Sequence, residues 1–241
     1  MRQPIAILLE NALVLLSLGS SVPFGDFAAA TDTSTLTSML YEHQKPWKPL
    51  NPTEVATVFQ EATFPWWIAG GHAIEHFVGR PVRAHADINI LALRKDASKL
   101  RCYLSFWDCW VADPPGHLRS WRAGEVLDGD IHDVWCRQDQ CSEWAFQIML
   151  DDSIDLEWQS RCCSQVKKPL TELGVANGQG TLFLAPEIQL FYKAKSPRTK
   201  DNLDFEVSLP LLTPEQRAWL TQSIEAAYGP DNIWAEKLRT F

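Results

Sequence analysis

Two adjacent glycines, Gly70 and Gly71, follow the short apolar run WWIA and precede the helix-like segment HAIEHFV. Glycines at such a junction let the backbone approach a phosphate group, because no side chain intervenes. The first N–H groups of the following helix add donors and a positive dipole end. Asp87 opens the next apolar run, where a carboxylate can hold Mg²⁺ against that phosphate. The residues indicate a nucleotide-phosphate site, and a simple tight turn at the glycines is the alternative.

This glycine pair belongs to neither of the two common nucleotide-binding fingerprints. The chain contains no GxxxxGK[ST] phosphate loop and no GxGxxG dinucleotide motif. It also contains no HExxH zinc motif and no nucleophile elbow for a Ser-His-Asp hydrolase. The phosphate site must therefore be positioned by a different arrangement of strands and helices.

The elements around the glycines can be read from capping residues and periodicity. Asn51, with Pro52 behind it and Glu54 three residues on, is typical of a capping box and predicts a helix over NPTEVATVFQEA. The run FPWWIA predicts a buried strand, and the short helix after it is predicted to end at Gly79. A strand, a glycine turn and a helix then stand in sequence.

The segment DINILAL alternates with a period of two and predicts a second strand. Asp87, Asn89 and Leu91 then face one side of the sheet. Further aromatic-rich strands are predicted near residues 105–112, 132–137 and 144–150. In the last of these, WAFQIML, Gln147 shares a face with Met149.

The C-terminal part is predicted to be helical. The segment APEIQLFYKAK has apolar residues at helical spacing, and Thr213 with Gln216 forms a second capping box. The chain is therefore divided into a leader and linker (1–45), a mixed α/β core (46–180) and a helical C-terminal region (181–241).

The order of strand, Gly-Gly, helix and GRPVRAHADINI resembles the nucleotidyltransferase superfamily. It is most similar to the aminoglycoside 2''-adenylyltransferase-like and lincosamide-type antibiotic nucleotidyltransferases. A second block, LAPEIQLFYKAKSPRTKDNLDF (184–205), also resembles the family, and the likeness covers most of residues 50–238. The residues that carry the first block are Gly70, Gly71, Ala73, Ile74, Gly79, Arg80, Arg83, His85, Asp87 and Ile88.

The resemblance implies a fold, a cofactor and a reaction. The implied fold is α/β (α+β), a mixed sheet with flanking helices and a helical C-terminal region. The glycines would cradle a nucleoside triphosphate such as ATP, and Asp87 would be the first ligand of paired Mg²⁺ ions. A hydroxyl of a small acceptor, aminoglycoside-like by resemblance, would attack the α-phosphate in line and expel pyrophosphate.

The family pattern has two further carboxylates, and this chain departs from it at both. The second metal-binding carboxylate falls on Asn89, and the third carboxylate, a metal ligand or a base, falls on Gln147. An amide oxygen can bind Mg²⁺ but carries no charge. Asp151, further along the same strand face, is a candidate substitute, as are Asp152 and Asp133.

Several cations and histidines allow two interpretations. Arg80 and Arg83 either clamp phosphate or pair with carboxylates. Lys193 and Lys195 either reach the nucleotide or lie on a solvated face. His72 and His85 are either zinc ligands or hydrogen-bonded loop residues. The second interpretation is favoured for the histidines, because no cysteine or histidine at zinc-finger spacing accompanies them.

The composition bounds the partners. The net charge of −8 disfavours nucleic acid and anionic membrane as partners. The apolar stretch near the start is interrupted by Glu10 and Asn11 and is too short to cross a bilayer. We expect a cytoplasmic protein whose six cysteines are buried free thiols, with export as the alternative if residues 1–30 act as a signal.

Two classes of function follow. The first is Mg²⁺-dependent transfer of a nucleoside monophosphate to a small-molecule hydroxyl. The second is a catalytically impaired protein of the same fold, which binds a nucleotide or a partner without transfer; Asn89 and Gln147 favour it. A third possibility, modification of a macromolecule, shares the same core, although the acidic charge makes tRNA a less natural target.

Overall fold

The computed structural model describes residues 45–241, and the predicted leader lies outside that range except for its last residue. The described chain is built on one mixed sheet with helices packed against it, which confirms the predicted fold class. The helices are α1 (Pro52–Val58), α2 (Gly70–Val78), α3 (Ala97–Tyr103), α4 (Pro186–Lys193), α5 (Thr199–Ser208), α6 (Pro214–Tyr228) and α7 (Ile233–Thr240).

The sheet contains ten strands, eight of which follow one path. The strands are β1 (Trp66–Ala69), β2 (Asn89–Leu93), β3 (Asp108–Ala112), β4 (Leu118–Ser120), β5 (Asp133–Arg137), β6 (Phe146–Ile154), β7 (Glu157–Ser160), β8 (Cys163–Pro169), β9 (Gly174–Ala176) and β10 (Leu182–Leu184). Their order along the path is β4-β3-β5-β6-β2-β1-β10-β9, and β7 and β8 extend from β6. The β2–β6 and β1–β10 pairs are parallel, whereas the other pairs are antiparallel.

The core lies on both sides of the central strands. Ile68 of β1, Ile90 and Leu91 of β2, and Ile148 of β6 are fully buried, so helices or loops cover both faces. Burial on both faces explains why these strands read as nearly continuous apolar runs. The central strands are therefore rigid supports for whatever lies at their ends.

Local sequence signals placed several elements correctly. The capping boxes at α1 (Asn51 with Glu54) and α6 (Thr213 with Gln216) are both formed. Helix α2 ends at Gly79, which has a left-handed φ of 75°. A left-handed residue at this position closes the helix and suits glycine because it has no Cβ.

Two boundaries differ from the sequence prediction. Strand β2 begins at Asn89, two residues later than expected, and Asp87 lies in the preceding loop. The neighbouring strand β1 ends at Ala69, opposite Asn89, because α2 starts at Gly70. Residues that precede Asn89 therefore have no β1 residue with which to pair. The second difference is in the region predicted to be helical, 181–241, which begins with strand β10 parallel to β1.

Strand β6 also continues further than predicted. It runs to Ile154, and a turn at Asp155, with a φ of 52°, leads into β7. The hairpin of β7 and β8 was not predicted, because its polar and charged residues give no clear alternation. No helix of the described residues is long and apolar enough to cross a membrane.

The cysteines are free thiols, as expected, but the expectation that all six are buried is wrong. Cys109 and Cys136 are buried on neighbouring strands, whereas Cys102, Cys141 and Cys162 are exposed. The exposed cysteines lie on the outer face of α3 and in two turns, where no second layer of the fold covers them.

Candidate active site

A cavity of about 400 Å³ lies where β1, β2 and β6 meet helices α4 and α5. Six of the candidate site residues singled out from the sequence line it: Gly70, Asp87, Asn89, Gln147, Lys193 and Lys195. The other lining residues are Met149, Gln189, Tyr192, Ser196, Arg198 and Asp201. The sheet register brings the first group together, since Ala69 of β1 pairs with Asn89 of β2, and Asn89 pairs with Gln147 of β6.

Gly70 makes the turn from β1 into α2 and packs against Asn89. Its φ is +70°, and a Cβ built there would lie 2.7 Å from Nδ2 of Asn89. Its N–H donates to Oε1 of Gln189 at 2.6 Å, which fixes the turn against α4. A side chain at this position would meet both a strained backbone and a neighbouring amide.

We expect Gly70→Ala to lower the free energy of unfolding by about 1 to 3 kcal/mol, because a left-handed alanine costs about 1–2 kcal/mol and Asn89 must also move. Urea denaturation monitored by circular dichroism measures the change. Gly178→Ala is the matched control, since nothing lies within 4 Å of its added Cβ. Equal stability of the two variants would contradict this account of the turn.

Gly71 has a different role from its neighbour. It does not line the cavity, and an added Cβ would overlap the imidazole ring of His85 and the guanidinium of Arg83. The missing side chain therefore lets the loop before β2 pack directly on α2. Gly71 contributes to the site by bringing that loop, which carries Asp87, against the helix.

Asp87 is the carboxylate that remains available in the cavity. It is partly buried and makes no hydrogen bond or ion pair with the described residues. Asp201 also lines the cavity, but Lys193 and Arg198 both bond to it. Burial alone would raise the pKa of Asp201, but the hydrogen bonds from Arg198 and Lys193 hold that pKa well below its ordinary value.

Asn89 and Gln147 form an amide pair beside Asp87. Nε2 of Gln147 donates to Oδ1 of Asp133 at 2.8 Å, and its Oε1 accepts no hydrogen bond from the described residues. Asp133 therefore orients the amide and does not itself line the cavity. Asp152, another candidate substitute for the missing carboxylate, pairs with Arg94 at 2.8 Å.

The structure does not bring Asp151 to the cavity, contrary to the sequence prediction. Asp151 is fully buried, and its Oδ2 accepts from Nε1 of Trp158 at 2.8 Å and from the hydroxyl of Tyr192 at 2.7 Å. Its Oδ1 accepts from Arg161 at 2.5 Å. Strand β6 is covered by β7 and α4 at this point, so the same face that is open at Gln147 is closed at Asp151.

The Asp151–Arg161 pair is a stability element, and we expect Asp151→Asn to lower the free energy of unfolding by about 3–5 kcal/mol. The change leaves a guanidinium with 17% side-chain exposure beside a neutral amide. Thermal and urea unfolding report the loss. The same substitution at the exposed hairpin residue Asp155 should change stability by less than about 0.5 kcal/mol. A stable Asp151→Asn variant would show that the pair contributes little.

Lys193 and Arg83 are held in an ion-pair network with helix α5. Nζ of Lys193 lies 2.9 Å from both Asp201 and Asp204, and Arg83 bonds both oxygens of Asp204 at 3.0 Å. The carboxylate-pairing interpretation of Arg83 is therefore the one that the structure shows. The network ties α4, α5 and the Asp87 loop together.

The remaining predicted cations lie in two different places, and one cation, Arg198, was missed. Arg80 lines a separate depression near the end of α2. Lys195 is exposed at the cavity and makes no bond with the described residues, and Arg198 lies beside it with 67% side-chain exposure. Lys195 was singled out from the sequence, whereas Arg198 was not, although the density of basic residues in the stretch KAKSPRTKD was an available signal for it.

His72 lies in the first turn of α2, lines the separate depression together with Arg80, and is neutral at neutral pH. Burial, followed by the charge of His85, lowers its pKa from 6.5 to about 4. The unfolded chain therefore binds more protons than the folded chain between these two values. Stability supported by the neutral ring is complete above pH 6.5 and is lost as the pH falls towards 4.

We expect His72→Gln to reduce the loss of stability between about pH 7 and pH 4.5, because glutamine does not take up the proton. Urea denaturation at several pH values gives the slope. The pKa of His76 is also lowered by burial, so His76→Gln serves as a comparison from the same helix. A slope identical to wild type in His72→Gln would contradict the assignment.

Comparison with known proteins identifies the family. Residues 53–206, more than half of the chain, match the sequence profile described as aminoglycoside-2''-adenylyltransferase. The chain belongs to this adenylyltransferase family. No curated protein matches the chain.

Several solved structures resemble the chain at low identity. The crystal structure of ANT(2'')-Ia in complex with adenylyl-2''-tobramycin is 17% identical, with a TM-score of 0.46, over 71% of this chain and 93% of that chain. Lincomycin-bound LnuA, a lincosamide antibiotic adenylyltransferase, is 12% identical, with a TM-score of 0.47, over 68% and 99%. An antigenic nucleotidyltransferase-like protein from Paracoccidioides brasiliensis is 17% identical, with a TM-score of 0.41, over 78% and 89%.

Nucleotidyltransferases of this kind generally use divalent metal, and the oxygen donors of this cavity fit one such ion better than two. Asp87 offers a carboxylate, and Asn89 and Gln147 offer amide oxygens. An all-oxygen set suits Mg²⁺, which proteins commonly bind through one or two carboxylates together with substrate phosphates. A single negative charge does not suit a preformed pair of ions.

The cavity does not offer an evident general base for the acceptor hydroxyl. Among the described residues that line it, Asp87 is the carboxylate that a metal ion would occupy, Asp201 is ion-paired and Gln147 has no basic oxygen at neutral pH. The Tyr192 hydroxyl donates to Asp151, and burial raises its pKa well above the ordinary value. The described residues of the cavity therefore include no free side chain suited to remove a proton from a hydroxyl at neutral pH.

Proposed function

We propose that the protein transfers a nucleoside monophosphate from a magnesium-bound nucleoside triphosphate, such as ATP, to a hydroxyl of a small acceptor. The observation that carries the proposal is the common cavity at the ends of three adjacent strands. There Gly70, the free carboxylate of Asp87 and the two amides at 89 and 147 lie together. The family membership supports the same reaction class.

The chain's residues have distinct roles in this proposal. The side-chain-free turn at Gly70 leaves room for the triphosphate, while Gln189 holds the turn in place. Lys195 and Arg198 supply positive charge at the phosphates. Asp87 and the amide oxygens of Asn89 and Gln147 would hold Mg²⁺, which supplies charge neutralisation on the triphosphate when bound.

The reaction balances without a cofactor beyond the metal. The acceptor oxygen forms a bond to the α-phosphorus, and the bond from that phosphorus to the pyrophosphate oxygen breaks. The hydroxyl proton leaves to solvent or to a phosphate oxygen, because the amide of Gln147 cannot take it. We therefore expect slow transfer that accelerates with pH as the acceptor hydroxyl ionises more readily.

The acceptor class is proposed from charge and family. A cationic aminoglycoside-like molecule suits a chain with a net charge of −8 and a cavity that contains Asp87. Lincosamides are the second class to screen. A panel of both, with a neutral sugar as the reference, distinguishes attraction by charge from recognition of a ring.

The direct test is calorimetric titration of the protein with ATP and GTP, with and without Mg²⁺, followed by a pyrophosphate-release assay over the acceptor panel. We expect tighter nucleotide binding with Mg²⁺ and release that depends on the acceptor. Failure of both nucleotides to bind under any metal condition would overturn the proposal. Release without acceptor would indicate hydrolysis and not transfer.

The alternative is a protein that binds a nucleotide without transferring it. Asn89 and Gln147 support it, because they line the cavity with amides where the family resemblance implies carboxylates. Mg²⁺-dependent nucleotide binding with no pyrophosphate release over the whole panel would support this alternative. The pyrophosphate-release assay, which is the second step of the same experiment, therefore distinguishes the two proposals.

A further inference from the structure

Three side chains at the junction of α2 and the loop before β2 converge outside the nucleotide cavity. His72 and Glu75 lie one turn apart on α2, and His85 lies in the loop. One ligand atom from each of the three lies within 4.8 Å of the other two. Nε2 of His85 is 2.9 Å from Oε1 of Glu75, and Nδ1 of His72 is 3.9 Å from Oε2 of Glu75.

The fold brings these three side chains together through one helix face and one glycine. Spacing of three residues places His72 and Glu75 on the same face of α2. His85 reaches that face because Gly71 has no Cβ, and an added one would overlap the imidazole ring. The rings of His72 and His85 have centroids 4.1 Å apart.

Hydrogen bonds hold the carboxylate of this cluster in position, but two of the cluster's polar atoms make no hydrogen bond with the described residues. Oε1 of Glu75 accepts the backbone N–H groups of Val82 and Arg83 at 2.8 and 3.2 Å, which fixes the carboxylate. Its Oε2 accepts no hydrogen bond from the described residues. The side chain of His85 is 9% exposed, and its buried Nε2 has no hydrogen-bond partner, because Glu75 is close but not aligned.

We propose that His72, Glu75 and His85 together bind one zinc-class divalent cation. Two imidazole nitrogens and one carboxylate form a ligand set that Zn²⁺, Co²⁺ and Ni²⁺ prefer, whereas Mg²⁺ prefers oxygen donors. Three protein ligands leave a fourth position open. His72 and Glu75 also line a depression of about 380 Å³, so that position faces solvent.

The guanidinium of Arg83 is the group that most disfavours cation binding by His85. Its Nη1 lies 3.1 Å from Nδ1 of His85, and cation binding at Nε2 places the imidazole proton on that nitrogen. Nη1 retains the carbonyl of Ala84 as an acceptor at 3.3 Å, and Asp204 neutralises the guanidinium. The contact with His85 is thus exchanged for a metal bond without leaving the arginine unpaired.

A bound cation would link α2 to the loop that carries Asp87. His85 lies two residues before Asp87, and His72 lies two residues after Gly70. The site is therefore separate from the nucleotide cavity but fixes the elements on either side of it. Because the ligand types differ, occupancy of the two sites by Zn²⁺ and Mg²⁺ should be independent.

The test is calorimetric titration of the chelator-treated full chain with Zn²⁺ in excess Mg²⁺. The exposed thiols Cys102, Cys141 and Cys162 are first alkylated, so that they do not bind the probe. We expect one Zn²⁺ per chain that excess Mg²⁺ does not displace. His72→Gln should weaken binding at least about tenfold, since even outer partners of a metal site are worth about 10- to 100-fold.

His76→Gln is the matched control, because His76 lies one turn along α2, lines the same depression and stacks on Phe183. It should bind Zn²⁺ within about twofold of wild type, as expected for a residue outside the ligand set. Unchanged binding in His72→Gln, or loss in His76→Gln, would overturn the proposal. X-ray absorption of the wild-type complex provides a second measurement that does not depend on the folding of variants. Two imidazoles without sulfur support the site, and any other ligand set refutes it.

Discussion

Replacement of Asp87 by asparagine is expected to remove magnesium-dependent nucleotide binding while leaving metal-free binding unchanged or slightly tighter. Asp87 is the one carboxylate lining the cavity, within the described residues, that has no cation bonded to it. Its loss leaves only amides and no free negative charge to hold Mg²⁺. The metal-dependent gain in affinity should fall at least about 100-fold, beyond the 10- to 100-fold typical of outer partners.

The prediction for Asp87→Asn is specific because nucleotide affinity should fall with Mg²⁺ but should not fall without it. Asp87 repels triphosphate when no cation lies between them, so its neutralisation removes a like-charge interaction. A merely destabilised variant would instead lose binding under both conditions. Calorimetry with ATP, with and without Mg²⁺, measures both values for the same preparation.

Asp130→Asn is the matched control for Asp87→Asn. Asp130 is an exposed loop aspartate, outside the cavity and without a bond to the described residues, so the same loss of charge occurs away from the nucleotide. We expect wild-type affinities under both metal conditions. If Asp87→Asn retained the full magnesium effect, the metal would have to bind elsewhere, and the proposed site would be wrong.

Features that depend on neighbouring residues were predictable from the sequence. The capping boxes at Asn51 and Thr213 are formed within three residues, and the end of α2 at Gly79 needs only a left-handed backbone. The alternation that separates Asn89 from the buried Ile90, and Gln147 from the buried Ile148, also depends only on chain geometry. These signals require no knowledge of distant partners.

Features set by distant partners were not predictable in the same way. Strand β10 forms because Phe183 pairs with Ile68, more than a hundred residues earlier. Asp151 follows the same alternation as Gln147, yet β7 and α4 cover it. Periodicity assigns a face of a strand, but it does not show where along the strand that face becomes buried.

The choice between the two interpretations of the cations also depended on distant partners. Arg83 and Lys193 have the charge and position expected of phosphate ligands, but both bond to Asp204 on α5. A carboxylate 121 positions along the chain from Arg83 could not be paired with it from spacing alone. The proposed phosphate contacts are accordingly Lys195, which was among the sequence candidates, and Arg198; both remain accessible at the cavity.

Conversion of Gln147 to glutamate, combined with Asp133→Asn, is expected to increase nucleotidyl transfer by about 100-fold or more, the usual range for a positioned general base. The new carboxylate would supply both a second charge for the metal and an oxygen that can take the acceptor's proton. Because Nε2 of Gln147 now donates to Asp133, the single change would place two carboxylates in contact. The second change restores a donor at that contact.

The single variant Gln147→Glu and the exposed substitution Gln179→Glu are the comparisons that test this reasoning. We expect the single variant to gain less than the double variant, because repulsion from Asp133 raises the pKa of the new carboxyl. Gln179→Glu should leave transfer unchanged.

The pH dependence of pyrophosphate release is measured for all three variants. The rise of the release rate with pH should move to lower pH only in the two variants that carry Gln147→Glu, because a general base acts once it is deprotonated. No gain in the double variant, with nucleotide binding intact, would mean that the absent base is not what limits this cavity, and the geometry of acceptor binding would then have to be the cause.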